Sequence, residues 1–329
     1  MLEKLGSEQL DCGKAADIFL FEPPGPDTPE KLMELMRHKG DDTLRGIQSR
    51  LNGTYVDCCV DRFFFAEIEG QIAGMLWFGY GRTTYPIANF GHVYTSPQFR
   101  RLGIATILLR YFKCDFLASP AKAAFCYSSK PHVVKNYTPL GFQPCVTGTT
   151  VGRLMLSQPP ASRSFAEIQA EYYGEAKQIH AVPASMRWRH DLDCLGKYTD
   201  RLLDERCFLA AALPDFTRAY YLSEDDKDGV LLNFVGNDRC VGWAGALRMS
   251  KDTDGARTFD YVIHSDFADE ICSLLKEAVQ QCRKAGPLFA FIRSDKTDKL
   301  ELLCACGFRS VAVIPDYFPF GGINVLSCY

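Results

Sequence analysis

A set of short motifs occurs twice in the chain, and this limits the folds available to it. The repeated features are a glycine in an apolar hairpin, a strand dipeptide and a Gly-Phe pair, and each recurs at a nearly constant spacing, called the repeat offset below. The matching positions are Gly74 and Gly242, Val93-Tyr94 and Tyr261-Val262, and Gly141-Phe142 and Gly307-Phe308. Because the three features recur in one order, the sequence predicts two copies of one fold. The alternative is two mixed α/β domains that resemble each other only by class.

The first copy has the order strand, two helices, three strands, helix, strand, helix and strand. Alternating apolar segments on either side of Gly70 predict a hairpin, and an apolar stripe through Ile104 and Leu108 predicts a long helix. The predicted strands are Ala16–Glu22, Arg62–Glu69, Gln71–Tyr80, Phe90–Thr95, Ala123–Tyr127 and Val146–Leu156. The predicted helices are Thr28–His38, Asp41–Leu51, Leu102–Ala118 and Val133–Pro139.

The second copy follows a polar segment, Ser157–Ser164, whose two prolines are typical of a linker. Domains are therefore expected at residues 1–156 and 165–329, with the linker at 157–164. The predicted helices of the second copy are Phe165–Ala176, Cys194–Glu205, Ala268–Lys284 and Asp298–Ala305. Its predicted strands are Gly229–Val235, Cys240–Met249, Arg257–His264, Leu288–Arg293 and Arg309–Pro315.

Composition narrows the class of protein. A length of 329 residues suits two domains, and a net charge of -3 argues against a dedicated nucleic-acid binder. The N-terminus lacks the pattern of a signal peptide, and no apolar run is long enough for a membrane span. We therefore expect a cytoplasmic protein whose 14 cysteines are free thiols. Adjacent Cys58 and Cys59, and the pair Cys304 and Cys306, do not have zinc spacing, so no metal is expected.

One segment between a predicted strand and a predicted helix has the chemistry of a phosphate site. It runs from Thr95 to Ala105 and contains two adjacent arginines, a glycine and an alanine. The unpaired N–H groups at a helix start bind anions. Gly103 lets the backbone approach a phosphate, and Arg100 and Arg101 add charged hydrogen-bond donors. The segment suits a pyrophosphate better than a neutral ligand.

These residues carry a resemblance to a known family. The R-x-x-G-x-A pattern beginning at Arg100, with Pro97 before it, resembles the acetyl-CoA motif of the GNAT superfamily of N-acetyltransferases. The segment Tyr137–Phe142 resembles the Y-x-x-x-G-F near the end of that fold, and the element order from Ala16 to Leu156 is similar too. The resemblance implies an α/β fold in the α+β sense: two tandem GNAT-like domains, each a central mixed sheet flanked by helices.

The same resemblance implies how acetyl-CoA, the cosubstrate, is held. The residues expected to bind the pyrophosphate are Arg100, Arg101, Leu102, Gly103, Ile104, Ala105 and Thr106. The pantetheine arm is expected along Val93, Tyr94 and Thr95, and the backbone N–H near Val93 is expected to polarise the thioester carbonyl. Many relatives carry an asparagine seven residues before the tyrosine, where this chain departs from the pattern with Lys130.

Tyr137 is the predicted general acid. A tyrosine, with a reference pKa of about 10, can supply a proton to a departing thiolate. The alternative is a tyrosine that only packs near the sulfur. A covalent route through Cys126 is weighed as well, although no histidine that could activate the thiol is evident in the sequence.

The general base is left open. His92 is a candidate because an imidazole titrates near neutral pH, but alternation within Asn89–Thr95 places it on the face opposite Gly91, which is the substrate side by resemblance. A β-bulge would reverse that argument. Glu67, Glu69 and an amine deprotonated through ordered water are the other candidates.

The second copy lacks these features. The positions that match Arg100, Gly103 and Tyr137 hold Ala268, Ile271 and Leu303, and acidic residues surround that helix start. Because negative charge there repels anions, we expect this degenerate half to shape the acceptor pocket or to stabilise the first half. The segment Met186–His190 is basic and aromatic, which suggests either an acceptor contact or a charged turn around a packed tryptophan.

The predicted function is an acyl-CoA-dependent N-acyltransferase that transfers acetyl to an amine of a small molecule by direct attack. The alternatives are S-acyl transfer, decarboxylation of an acyl-CoA, and a non-enzymatic CoA-binding or scaffold protein. No nucleic acid or membrane partner is expected. The acceptor and the acyl preference cannot be identified because loops determine them, and a homodimer is among the assemblies that the sequence leaves open.

Overall fold

The computed structural model describes residues 1–25, 28–83, 86–128, 130–145, 152–159, 163–198, 216–225, 229–248, 257–318 and 321–328. Contacts divide the chain into two compact units, Met1–Tyr172 and Tyr173–Tyr329. Each unit contains one mixed sheet flanked by helices. The division lies near the predicted linker, and the exact domain boundaries stay a prediction.

The first unit contains an eight-stranded sheet in the order β1-β2-β3-β4-β5-β6-β8-β7. Its strands are β1 Leu2–Gln9, β2 Ala15–Phe21, β3 Cys59–Ile68, β4 Gln71–Gly81, β5 Ile87–Thr95, β6 Ala123–Ser128, β7 Gln143–Pro144 and β8 Gly152–Ser157. Its helices are α1 Thr28–Met36, α2 Asp41–Leu51, α3 Ile104–Ala118, α4 Pro131–Tyr137 and α5 Phe165–Gly174, the last of which crosses into the second unit.

The second unit contains a seven-stranded sheet in the order β14-β15-β13-β12-β11-β10-β9. Its strands are β9 His180–Pro183, β10 Val230–Gly236, β11 Arg239–Arg248, β12 Arg257–Ile263, β13 Leu288–Arg293, β14 Arg309–Phe318 and β15 Gly321–Cys328. Its helices are α6 Arg189–Tyr198, α7 Phe216–Asp225, α8 Ile271–Arg283 and α9 Thr297–Ala305.

The two sheets share one topology. Read from β2 and from β9, the strand orders correspond position by position, and the parallel pair β5 and β6 matches the parallel pair β12 and β13. The correspondence extends to single residues, because a register shift follows Ala66 in one hairpin and Phe234, its counterpart by the repeat offset, in the other. Two tandem copies of one fold, as predicted, account for this agreement.

Gly74 and Gly242 show why the hairpin glycine occurs in both copies. A Cβ at Gly74 would lie 2.8 Å from the carbonyl oxygen of Tyr94, and one at Gly242 would lie 2.4 Å from that of Val262. Real Cβ atoms do not approach an oxygen this closely. Each glycine therefore permits a close approach of two neighbouring backbones.

The sheet of the first unit separates two apolar clusters. One face carries Leu76, Phe78 and Phe90, which pack against α3 and against Tyr137 of α4. The other face carries a second set of side chains, which pack against α1 and α2: Phe63, Phe65, Met75 and Trp77. These two faces are called the α3 face and the α1–α2 face below.

Several predicted elements differ from the structure at their ends. The helix predicted from Leu102 begins at Ile104, because Arg101 and Gly103 adopt positive φ. The strand predicted from Val146 is described from Gly152 onward, and residues 146–151 of the prediction lie outside the described part. Strands β1, β7, β9 and β15 and helix α7 were not predicted.

The end of the predicted linker is a helix start. Ser164 Oγ accepts the backbone N–H of Glu167, and the Glu167 carboxylate accepts the backbone N–H of Ser164. This reciprocal capping box fixes the beginning of α5. Among the described residues, none of the helices is long and apolar enough to cross a membrane.

Candidate active site

The two parallel strands at the centre of the first sheet separate partway along their length. β5 pairs with β6 only at Ile87–Asn89, opposite Ala123–Phe125. Beyond Asn89 β5 continues to Thr95, and beyond Phe125 β6 continues to Ser128. The diverging ends leave a gap in the sheet, called the β5–β6 gap below, which exposes strand backbone to an extended ligand.

A β-bulge lies in β5 where this gap opens. Tyr94 pairs with Met75 and Gly91 pairs with Trp77, so three steps along β5 correspond to two along β4. His92 has a φ of 53°, in the left-handed region that non-glycine residues rarely adopt. The extra residue makes β5 bend and leaves backbone groups at the bulge outside the ladder.

The bulge changes which side chains share a face. Gly91 and Tyr94 lie on the same face of the sheet as Trp77 and Met75, their partners across the ladder. Thr95 pairs with Gly74 and lies on the other face. The expectation of uninterrupted alternation along this strand is therefore wrong. The His92 ring lies 5.5 Å from the Trp77 ring on the α1–α2 face, so His92 joins Gly91 on the side expected to receive the substrate.

The backbone N–H of Val93 points toward the gap. Directly after the strand, the N–H of Ser96 donates to the Ala73 carbonyl of β4 over 2.9 Å. The positive φ of the bulge is at His92, and the pairing is regular from Tyr94 onward. On that side of the bulge successive N–H groups alternate in direction, so those of Ser96 and Tyr94 face β4 and that of Val93 faces away from it. A carbonyl oxygen placed in the β5–β6 gap can accept this N–H.

The loop after β5 is shaped as a cradle. Arg101 has a φ of 66° and Gly103, which immediately precedes α3, has a φ of 78°. A Cβ added at Gly103 would find nothing within 4 Å. The left-handed turns bring the backbone around an open space at the positive end of α3, a geometry that favours an anion.

Of the other residues predicted for the cradle, some fix the loop against the core and others present hydrogen-bond donors at the surface. Ile104 is buried and Leu102 packs against the α3-face core. Arg100, Arg101 and Thr106 are exposed at the loop surface, and Arg100 Nε donates to the Thr95 carbonyl over 3.4 Å. The open space, the exposed guanidinium groups and the start of α3 fit the pyrophosphate of coenzyme A.

Tyr137 ends α4 and closes the α3 face beside the gap. Its ring meets the Phe90 ring edge-on at 5.5 Å, and the residue is 6% exposed. Burial raises the pKa of its phenol well above the ordinary value of 10.0, and the nearby Cys126 thiol adds to the effect. The hydroxyl is therefore protonated at any physiological pH, as a hydrogen-bond donor must be.

Cys126 is a poor nucleophile in this environment. Its side chain is buried, and burial raises the pKa of the thiol far above 9.0. The thiolate, which is the reactive form, is therefore scarce at neutral pH. The geometry disfavours the covalent route. Lys130, at the position where the family resemblance predicts asparagine, precedes α4 and donates its backbone N–H to Ser128 Oγ.

Residues 60–144 match the family model described as an acetyltransferase (GNAT) domain. This chain carries a GNAT acetyltransferase domain. The matched segment contains β3 to α4, the bulge, the cradle and Tyr137. GNAT acetyltransferases use acetyl-CoA as their cosubstrate, and the open cradle and the inward-facing Val93 N–H are consistent with that ligand.

Solved structures of GNAT proteins resemble the chain at low sequence identity. A spermidine N-acetyltransferase chimera of SpeG from Vibrio cholerae and hSSAT is 12% identical, with a TM-score of 0.36; the match covers 46% of this chain and 95% of that one. A GNAT-family acetyltransferase from Streptococcus pneumoniae is also 12% identical, with a TM-score of 0.37 and coverage of 46% and 98%. No curated protein matches the chain.

A polar group on the α1–α2 face of the GNAT domain was not predicted. Asp61 is buried in β3, where it accepts the Trp77 indole N–H over 2.9 Å. The Arg50 guanidinium lies 4.5 Å from the Trp77 ring and 3.9 Å from the Asp61 carboxylate. The sequence signal for this group was the presence of charged residues at positions of a strand and a helix where apolar side chains are expected. The His38 ring stacks on Tyr94 at 4.2 Å nearby.

The two glutamates considered as bases lie away from this group. Glu69 is in the hairpin turn and forms an exposed ion pair with Lys14. Glu67 stands opposite Asp17 near the other end of β3 from Asp61. Of the candidates, His92 is the side chain placed beside the bulge on the α1–α2 face.

The corresponding loop of the second unit has no cradle. Within the described stretch from β12 to α8, positive φ is absent, and Glu270 before α8 has a φ of -88°. β12 pairs with β11 from Ile263 to Arg257 without any register shift, so the bulge is missing as well. These differences fit the expectation that the second copy is degenerate.

The basic and aromatic segment is folded into the second unit. Arg189 and His190 are buried at the start of α6, and Arg187 lies 5.2 Å over the Trp188 ring. Trp188 donates its indole N–H to Asp238. Across the described ranges, no group of three His, Cys, Asp or Glu side chains could hold a metal ion.

Proposed function

We propose that the GNAT domain in the first half of this chain transfers an acetyl group from acetyl-CoA to an amine of a small molecule by direct attack. The observation that carries this proposal is the combination, on consecutive segments, of a gap with an inward-facing N–H and a cradle open to an anion. Backbone amides from Arg101 to Thr106 hold the pyrophosphate, and Arg100 and Arg101 supply positive charge. The pantetheine arm runs along Val93, Tyr94 and Thr95.

The reaction places developing charge where donors already point. The amine nitrogen forms a bond to the thioester carbon, and the carbonyl oxygen becomes an oxyanion that accepts the Val93 N–H. When the C–S bond breaks, the electron pair leaves with sulfur. A thiol has a reference pKa of about 8.5, so a buried Tyr137 stabilises the thiolate mainly by donating a hydrogen bond rather than by giving up its proton fully.

The amine arrives from the α1–α2 face. Gly91 leaves room there, and the His92 imidazole beside Trp77 is positioned to take the proton that the attacking amine releases. Aromatic rings of Trp77, Tyr94 and His38 line the same side. These side chains can receive the apolar part of a small molecule.

Calorimetry of acetyl-CoA with Gly103→Glu tests the cradle. The carboxylate enters the space meant for the pyrophosphate and repels it, so we expect binding to be abolished. Gly13→Glu is the matched control, because Gly13 also has positive φ and open space but lies in a distant turn. Wild-type affinity in the Gly103 variant would refute the proposal, and thiol release with a panel of amines would test the reaction itself.

A further inference from the structure

The second unit keeps the sheet gap of the first. β12 pairs with β13 at Arg257 and Thr258, opposite Leu288 and Phe289. Beyond these pairs β12 continues to Ile263 and β13 to Arg293. The second unit therefore has the same opening between its parallel strands, called the β12–β13 gap below. The side chains in this gap decide what it can bind.

A charged residue in β12 stands where the first unit has a glycine. Asp260 pairs with Gly245 in β11. By the repeat offset, Gly245 of β11 is the counterpart of Trp77 of β4. In the first unit, Trp77 pairs with Gly91 of β5. Asp260 therefore occupies the place of Gly91.

A second charged residue stands in α9, where the first unit has an apolar side chain. Lys299 occupies the place of Val133, when the two helices are aligned by the Gly-Phe pairs that follow them. The second unit thus has one acidic and one basic residue at two positions that are uncharged in the first.

Asp260 and Lys299 form a buried ion pair in the β12–β13 gap. Lys299 Nζ reaches from α9 to Asp260 Oδ1 over 2.6 Å. The Lys299 side chain is 9% exposed and the Asp260 side chain is 4% exposed. The ammonium lies 4.8 Å from the centre of the Tyr261 ring. The ion pair thus joins α9 to β12 at a residue beyond the last pair of β12 with β13.

The same carboxylate takes the backbone donor of the gap. The Tyr261 N–H donates to Asp260 Oδ1 over 2.9 Å. His264 donates its N–H to the Val241 carbonyl in β11, so strand alternation directs the Tyr261 N–H away from β11. Tyr261 is the counterpart of Val93 by the repeat offset, and its N–H is the counterpart of the proposed oxyanion donor.

We infer that the second unit is closed to acyl-CoA by its own side chains, with Asp260 and Lys299 filling the thioester subsite. The Asp260 carboxylate oxygen stands in for the thioester oxygen, and the lysine chain stands in for the pantetheine arm. This inference rests on the proposed function, since it takes the first unit's gap to be the acyl-CoA site. A ligand would have to separate a buried ion pair, and removing one partner leaves an uncompensated charge.

Amide hydrogen exchange at Val93 and Tyr261 in the full chain tests this inference. We expect saturating acetyl-CoA to slow exchange of the Val93 amide and to leave that of Tyr261 unchanged. In the double variant Asp260→Gly and Lys299→Val, which installs the first unit's residues, the Tyr261 amide should exchange at least about tenfold faster. Amides of β10 and β11 report whether the variant is folded.

The outcomes separate the two proposals. An unchanged Val93 amide contradicts the proposed function, while Tyr261 in the double variant still tests the ion pair. Slower Tyr261 exchange in the wild-type chain on addition of acetyl-CoA overturns the inference, and this arm requires no variant. If the double variant is unfolded, Asp260→Asn replaces it, because asparagine keeps the shape of the side chain and removes its charge. Unchanged exchange of the Tyr261 amide in whichever variant folds would also overturn the inference.

Discussion

Tyr137 combines deep burial with a donor role. In a Tyr137→Phe variant the ring packing against Phe90 is kept and only the hydroxyl is lost. We expect kcat to fall by about 10²-fold, the lower end for a positioned proton donor, while the dissociation constant of acetyl-CoA stays nearly unchanged. Steady-state kinetics and calorimetry measure the two quantities. Loss of affinity with kcat intact would remove the donor role.

Burial of Tyr137 and Cys126 also predicts how stability depends on pH. Their folded pKa values lie above the ordinary values of 10.0 and 9.0. The unfolded chain therefore loses these protons first, and stability that is complete below about pH 9 declines as pH rises. Urea unfolding between about pH 7 and 11 should show this decline.

A pair of variants isolates the contribution of Tyr137. Tyr137→Phe should make the alkaline decline shallower. Tyr127→Phe is the control, because Tyr127 is 60% exposed and should leave the slope as it is. Equal slopes in wild type and Tyr137→Phe would show that this phenol does not contribute to the decline.

At the scale of elements, the hairpin glycines set how closely neighbouring strands approach. Gly74→Ala and Gly242→Ala each place a Cβ against a backbone carbonyl, which cannot move without disturbing the sheet. We expect each to lower the free energy of unfolding by about 1–3 kcal/mol. Denaturant titration measures the effect. Gly174→Ala in α5, where a Cβ meets nothing, should be neutral or stabilising, and equal losses at all three positions would contradict the argument.

The elements also show what the sequence could and could not predict. Helix α2 at Asp41–Leu51 and strand β13 at Leu288–Arg293 were predicted to the residue, because acidic residues mark the first turn of the helix and an apolar run marks the strand. Strand β1 was missed because its side chains are mostly polar and exposed. Strand β9 was missed because four residues are too few to show a period.

The bulge in β5 could not be predicted from the sequence for a different reason. A bulge is defined by the residues that a strand faces across the ladder, and local sequence does not state them. The motif from Arg100 to Ala105 predicted a turn between a strand and a helix, which the structure has, whereas the side on which His92 lies depended on the partner strand. Long-range pairing, rather than residue type, decided that part of the site.

For the whole molecule, the two units predict a single cosubstrate site. The first has the cradle, the gap and the inward-facing N–H; the second has a gap filled by Asp260 and Lys299 and no cradle. Calorimetry should therefore give one equivalent of acetyl-CoA per chain, and Gly103→Glu should give none. A second equivalent, or one that persists in the Gly103 variant, would place a site in the second half.

The unshifted ladder between β11 and β12 also bears on the history of the chain. Point mutations exchange one side chain for another at constant chain length, so they leave the pairing register of a strand where it is. Giving β12 the local geometry of β5 would take one more residue within the strand, which a substitution does not supply. Exchange of side chains alone therefore does not turn the second copy into a site of the β5 type.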